Sequence, residues 1–173
     1  MPSLLPVLQI LEHMQGGRRV NRRYARSEDT EQMSVMDWAR WNQNAHPELE
    51  LLHHCPNGGS RNKAEAVKLQ QMGVKAGIPD LCLPVPMGMY NGLYIEMKYD
   101  TGRLEDSQKK MLKALAAAGH YCTVCYGAEE AIRVLQEYIN LKKIDAGKRE
   151  DTMSEQNLMI RKNGKVKCII FKE

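Results

Sequence analysis

The stretch from Gly77 to Lys98 most constrains what this chain can fold into. It reads Gly77-Ile78-Pro79-Asp80, then Leu81-Cys82-Leu83-Pro84-Val85, then Met87-Gly88-Met89-Tyr90-Asn91-Gly92, then Leu93-Tyr94-Ile95-Glu96-Met97-Lys98. Two short apolar runs around a connection containing Gly and Asn form the pattern of a β-hairpin. Side chains alternate along a strand, so Glu96 and Lys98 share one face and Met97 takes the other. Antiparallel pairing lays the start of the first strand beside the end of the second. Asp80 is therefore expected close to Glu96 and Lys98. Two carboxylates and an ammonium at one end of a hairpin suit a hard divalent cation. Mg²⁺ is usually held by one or two carboxylates plus substrate phosphate oxygens. A lysine alongside can orient an attacking water or balance charge building on a phosphate.

The remaining composition narrows the class. At 173 residues the chain has about the length of one domain, enough to bury a core. No apolar run approaches the ~20 residues of a membrane span. The start, Met1 to Leu8, lacks the basic region and small-residue cleavage site of a signal peptide. A cytoplasmic protein with no membrane partner is expected. The net charge of +4 permits a polyanionic partner without arguing strongly for one. Five cysteines with no export signal read as reduced thiols. Cys122-Thr123-Val124-Cys125 has zinc or redox spacing, but it lies in a β-rich run with no second pair nearby. It reads as core thiols. No Gly-rich phosphate loop of the Walker type is present.

Along the chain, Leu4, Val7, Leu8, Leu11 and Met14 have helical spacing, and Gly16-Gly17 ends that helix. Arg18, Arg19, Arg22, Arg23 and Arg26 follow, as a solvated basic linker or as an arm for phosphate. Ser27 with Glu28, Asp29 and Glu31 behind it is a helix start. That helix runs to about Asn42, with Glu31, Val35 and Trp38 on one stripe. Leu49 to His54 is expected as a strand, and Asn62 to Met72 as a helix closed by Gly73. His53 and His54 are adjacent, so on a strand they face opposite ways and cannot chelate one ion together. After the hairpin, Asp106 or Ser107 is expected to cap a helix. Its stripe of Gln108, Met111, Leu112 and Leu115 puts a glutamine in line with apolar residues, where it needs partners. Lys109, Lys110 and Lys113 lie off that stripe. Tyr121 to Tyr126 reads as a strand, and Ala128 to Leu141 as a helix with Ile132, Leu135 and Ile139 inward. Asp145 to Gln156 reads as a polar linker. Asn163-Gly164 between two β-prone runs is a strong hairpin signal. A lone hairpin is not stable, so it must lean on the main sheet or on another subunit.

Pro79-Asp80 followed by Glu96-Met97-Lys98 resembles the PD-(D/E)XK nuclease signature. Around it, in order, stand Pro56-Asn57-Gly58-Gly59-Ser60-Arg61, Gly73-Val74-Lys75-Ala76-Gly77, Gly92-Leu93-Tyr94-Ile95, Gly102-Arg103-Leu104 and Gln108. The whole run, from about Glu31 to Leu141, resembles the virus-type replication-repair nuclease (VRR-NUC) domain in its compact phage and bacterial form. The resemblance implies a restriction-endonuclease-like α/β fold with a small mixed central sheet flanked by helices, which the order of elements also fits. The expected division is an N-terminal helix and basic arm over 1–26, a nuclease domain over 27–143, and a polar linker and hairpin over 144–173.

The resemblance also implies an activity, namely metal-dependent endonucleolytic cleavage of DNA. Asp80, Glu96 and the Met97 carbonyl would hold Mg²⁺ or Mn²⁺, Lys98 would position or activate the water, and Gln108 would support them. On spacing alone Glu31 is a first-turn acid favoured by the helix dipole. The resemblance implies that Glu31 lies near the metal and serves it, directly or through a bound water. Arg61, Lys75 and Arg103, with Arg22 and Arg23 of the arm, are the expected DNA contacts. Small structure-selective members act on branched DNA such as Holliday junctions, usually as dimers. A homodimer is therefore expected, with the terminal helix and hairpin as segments that need something to pack on. The alternatives are a nuclease for flaps, nicked duplex or single strands, and a non-catalytic nucleic-acid-binding module on the same fold.

Overall fold

The computed structural model describes residues 25–56, 63–141 and 157–170. The N-terminal helix, Arg18 to Arg23, the loop from Asn57 to Arg61 and the polar linker lie outside those residues. Within them the order is helix α1 (Glu28–Asn42), a 3₁₀ turn (Pro47–Leu51), β1 (His53–His54), α2 (Lys63–Gln71), β2 (Leu81–Leu83), β3 (Leu93–Lys98), α3 (Asp106–Ala117), β4 (Tyr121–Tyr126), α4 (Ala128–Ile139), β5 (Asn157–Lys162) and β6 (Lys165–Ile170). The strands form one six-stranded mixed sheet in sequence order. β2 and β3 pair antiparallel with Leu81 opposite Ile95, as the hairpin pattern predicts. β3–β4 and β4–β5 are parallel, and β5–β6 is antiparallel. The architecture is α/β with a small mixed sheet between helices.

Each face of the sheet carries its own core. Leu81, Leu83, Leu93, Ile95 and Met97 pack with Val35, Trp38 and Ala39 of α1 and with Ala131, Val134, Leu135 and Tyr138 of α4. On the opposite face, Cys122 and Val124 pack with Leu112 and Ala116 of α3. Covering both faces leaves nearly every β3 side chain buried, Glu96 and Lys98 included. Cys122 and Cys125 fall on opposite faces of β4, so they cannot share an ion, and both are buried free thiols.

Several elements differ from the sequence expectation. The strand expected over Leu49 to His54 is mostly a 3₁₀ turn, with only His53 and His54 in the sheet. Pro47 fixes φ at the start of that turn. Leu49 and Leu52 both reach the core at a spacing of three, which suits three residues per turn and not a two-residue alternation. Helix α3 is capped by Glu105, one residue before the expected Asp106 or Ser107. The Asp106 carboxylate is turned instead toward Lys109, 2.8 Å away. In α4 the buried stripe is Ala131, Val134, Leu135 and Tyr138, with Ile132 and Ile139 at its margin. The stripe Glu31–Val35–Trp38 of α1 is buried as its spacing predicts.

The C-terminal hairpin adds to its own chain's sheet. Thr123, Val124 and Cys125 of β4 pair with Met159, Ile160 and Arg161 of β5. Arg161 is buried and makes a bidentate pair with Glu137 of α4, at 3.0 and 2.6 Å. Burial opposes the charge on this guanidinium, but the bonds it donates to Glu137 outweigh this and hold its pKa above the ordinary arginine value.

Candidate active site

The site forms where β2 ends. Leu81–Ile95 is the last backbone pair of the hairpin. One residue further, the Asp80 carboxylate replaces the missing strand, and its Oδ2 accepts the Met97 N–H at 2.8 Å. The Asp80 carbonyl accepts the Cys55 N–H at 2.8 Å and is 2.9 Å from His54 Nδ1. Backbone and side chain of Asp80 are thus both fixed, and the carboxylate lies beside Glu96. Gly77 makes this possible. A Cβ there would lie 2.5 Å from Ser107 C and 2.8 Å from Gln108 N, and φ is +79°. Only glycine lets the Gly-Ile-Pro-Asp segment rest on the first turn of α3.

Glu96 and Lys98 point to the same face of β3, and Lys98 Nζ donates to Glu96 Oε1 at 2.6 Å. Nζ also donates to the Met97 carbonyl at 3.0 Å. The same Glu96 oxygen accepts from Gln108 Nε2, while Gln108 Oε1 accepts the Glu105 N–H at 2.9 Å. One glutamine therefore closes the helix start and orients the carboxylate. Glu96 is 1 % exposed and Lys98 5 %. Burial, and then the charge of Asp80, push the Glu96 carboxyl up to about 7. Burial pulls Lys98 down, but the hydrogen bond and charge of Glu96 outweigh it and leave the ammonium above its usual range.

Glu96 Oε2 is buried with no partner. An unpaired, desolvated carboxylate oxygen is costly unless something cationic meets it. Together with Asp80, this pair fits a divalent ion that takes one or two carboxylates, a backbone carbonyl, water and phosphate oxygens. Among the described residues no three histidine, cysteine or carboxylate side chains are grouped so as to hold a metal ion by themselves. Water and substrate would have to complete the shell.

The first helix brings two acids to this end of the sheet. Glu31 is 7 % exposed and uses both oxygens elsewhere. Oε1 accepts from Arg26 Nε at 2.7 Å, and Oε2 accepts the Ala128 N–H that begins α4, at 2.8 Å. Burial opposes its charge, but these donors prevail and lower its pKa. Glu28, one turn earlier, is the helix acid that reaches the lysine, with Oε2 3.8 Å from Lys98 Nζ. Gly102 leaves room for this approach, since a Cβ there would lie 2.9 Å from Glu28 Oε1 and 3.2 Å from Lys98 Cδ. Glu28 lies outside the residues that the motif spacing singles out. The available signal was helical geometry, because residues 28 and 31 share a face one turn apart.

The remaining candidates are the expected DNA contacts. Lys75 and Arg103 are exposed, while Arg22, Arg23 and Arg61 lie outside the described residues. Of the arginine run only Arg26 is described. It pairs with Glu31 and lies 5.5 Å over the Tyr99 ring, next to the site. His53 is exposed, with Nδ1 3.0 Å from the Leu51 carbonyl. No helix among the described residues is long and apolar enough to cross a membrane.

Comparison with known proteins gives one consistent family. The model of the VRR-NUC domain matches residues 16–129. A solved structure described as a "VRR_NUC domain protein" superposes with a TM-score of 0.60 at 35 % identity, covering 69 % of this chain and 93 % of the other. No curated protein matches the chain.

Proposed function

Because this chain belongs to the VRR-NUC family and carries a nuclease domain of the PD-(D/E)XK type, we propose that it is a divalent-metal-dependent DNA endonuclease. The observation that carries this reading is the buried, unpartnered Glu96 Oε2 beside Asp80. Asp80, Glu96 and the Met97 carbonyl would hold Mg²⁺ or Mn²⁺. Such an ion polarises a phosphate and lowers the pKa of a nucleophilic water. Lys98 keeps its ammonium among Glu96, Met97 O and Glu28, where it orients water and steadies charge on a phosphate oxygen. Gln108 holds Glu96 in place from α3, and Glu28 sets the lysine from α1. Glu31 acts through the fold, by joining Arg26 to the start of α4. Arg61, Lys75 and Arg103, with Arg22 and Arg23, contact the DNA backbone.

The substrate we favour is branched DNA such as a four-way junction, cut by a homodimer. The described residues of one chain form one such site, and a two-fold symmetric junction needs two at fixed separation. The C-terminal hairpin is satisfied within its own sheet, so the support for a dimer is this symmetry and not an unpaired hairpin.

The test is a panel of labelled junction, flap, nicked, duplex and single-stranded DNAs, each with and without Mg²⁺. Metal-dependent cutting of any of them supports the nuclease. Binding without cutting would favour a non-catalytic module. A cruciform-extruding supercoiled plasmid tests the finer reading. Linear product at early times supports paired incision, and nicked circles as the main early product overturn it.

A further inference from the structure

The C-terminal hairpin, outside the segment that matches the family model, extends the row of the sheet that ends in the active site. Lys98 of β3 is paired with Tyr126 of β4. One step beyond the Cys125–Arg161 pair, Tyr126 adjoins Lys162 of β5. Lys162 is in turn paired with Lys165 of β6. Side chains of residues in register point to the same face. The contact of Lys162 Nζ with the Tyr126 ring, 4.6 Å from its centroid, agrees with this. Lys98, Tyr126, Lys162 and Lys165 thus form one lateral row on the face that also carries Glu96. With strands about 4.8 Å apart, Lys165 starts roughly 14 Å from Lys98. That is the axial span of about four nucleotides of one strand at 3.4 Å each.

The tip is held at this place by contacts with the nuclease core. Arg161 is clamped by Glu137. The Gly164 N–H donates to Oε1 of Glu130, a carboxylate buried on α4. Lys162 Nζ donates to the Asp100 carbonyl, and Tyr126 Oη donates to the Gly102 carbonyl at 2.9 Å. Those two carbonyls belong to the turn that follows Lys98, in which Asp100 takes φ +48°, a left-handed turn conformation that aspartate tolerates better than most residues. Gly102 of that turn is the residue against which Glu28 and Lys98 pack. The hairpin tip is therefore a fixed structure tied to the catalytic lysine, and Lys165 is exposed on it.

We propose that the tip of the β5–β6 hairpin is a second phosphate-binding patch for the DNA strand held in the active site, with Lys165 contacting a phosphate and Lys162 as a positioning residue for the Tyr99–Gly102 turn. The inference rests on the nuclease reading above. Phosphate contacts of this kind set register and affinity without reading sequence. The row geometry favours a contact a few nucleotides from the scissile bond.

The experiment uses the full chain with labelled duplex and four-way-junction DNA, binding being read in Ca²⁺ and cleavage in Mg²⁺. For Lys165→Ala, the slope of log K against log salt should flatten by about 0.9 on duplex. The wild-type advantage should then shrink about 3.5-fold between 50 and 200 mM salt. Arg40→Ala, at the far end of α1, is the cation control and should leave the slope unchanged. For Lys162→Ala, kcat should fall with little change in KM, and Lys162→Arg should restore it by keeping the bond to Asp100 and the stacking on Tyr126. A wild-type slope for Lys165→Ala, in a protein that cuts DNA, overturns the patch and leaves the nuclease standing. An unchanged kcat for Lys162→Ala overturns its positioning role. A wild-type chain that neither binds nor cuts any DNA overturns both readings.

Discussion

Asp80 has two separable roles, and two substitutions divide them. Its carboxylate accepts the N–H of buried Met97, and its charge raises the pKa of Glu96. Asp80→Asn keeps an acceptor oxygen and removes the charge. Asp80→Ala removes both and leaves a buried N–H unpaired, at a cost of about 1–3 kcal/mol. The charge effect can be bounded. Glu96 rises from 4.5 to about 7, through burial first and Asp80 second. That net rise, left after Lys98 pulls the other way, corresponds to about 3.4 kcal/mol at pH above 7, and a contribution from Asp80 on the order of 1 kcal/mol is expected within it. The sign follows from the raised folded pKa. The contribution of Glu96 is fully present below pH 4.5 and is lost as pH rises through about 7. In EDTA at about pH 8, Asp80→Asn should therefore match or exceed wild-type stability by about 1 kcal/mol. At about pH 5 that advantage should vanish, because folded wild type then carries a protonated Glu96. Asp80→Ala should stay below Asp80→Asn by about 1–3 kcal/mol at both pH values. Urea unfolding followed by circular dichroism measures all three proteins. Both variants should also cut at least about a hundredfold more slowly in Mg²⁺, since the ion contributes several kcal/mol to such reactions. Equal stability of the Ala and Asn variants would refute the role of the Met97 bond. An Asn advantage independent of pH would refute the coupling to Glu96, and wild-type cleavage by either would remove Asp80 from the site.

Three further outcomes are expected. Glu31→Gln should lower stability by about 1 kcal/mol through the weakened start of α4 and should slow cutting less than Asp80→Asn, whereas Glu28→Gln should slow cutting with unchanged stability. The reverse pattern in paired melting and cleavage assays would exchange their roles. Gln108→Leu should weaken Mg²⁺ binding about 10- to 100-fold by freeing Glu96, and calorimetric titration of the metal with an unchanged constant would refute this. Deleting Asn157 to Glu173 exposes the β4 edge and strands Glu137, so loss of soluble, cooperatively melting protein is expected; a fully stable truncated chain would contradict the intramolecular docking of the hairpin.

The sequence by itself determined the elements whose signal is local. The β2–β3 hairpin follows from two apolar runs and a short connection, and with period-two alternation it puts Glu96 and Lys98 on one face. The buried stripe of α1 and the Asn163-Gly164 turn follow from short-range spacing in the same way. Gln108 was legible as a glutamine needing a partner, because a polar group on a buried stripe must be satisfied. What depends on elements distant in the chain was decided only by the tertiary structure. Spacing put Glu31 inward but could not say that the start of α4, 97 residues later, would take one of its oxygens and leave Glu28 to face Lys98. Leu49 to His54 has apolar content that fits either a strand or a 3₁₀ turn, and the core chose the turn by burying Leu49 and Leu52 together. The hairpin signal at Asn163-Gly164 carried no information about which edge it would join. That edge was chosen by the unpaired backbone of β4, by Glu137 waiting for Arg161, and by the turn after Lys98, whose carbonyl at Asp100 takes Lys162. Local propensity fixes which segments can bury a face, but the partner of a buried charge or an open strand edge is whatever the completed packing brings within hydrogen-bond distance.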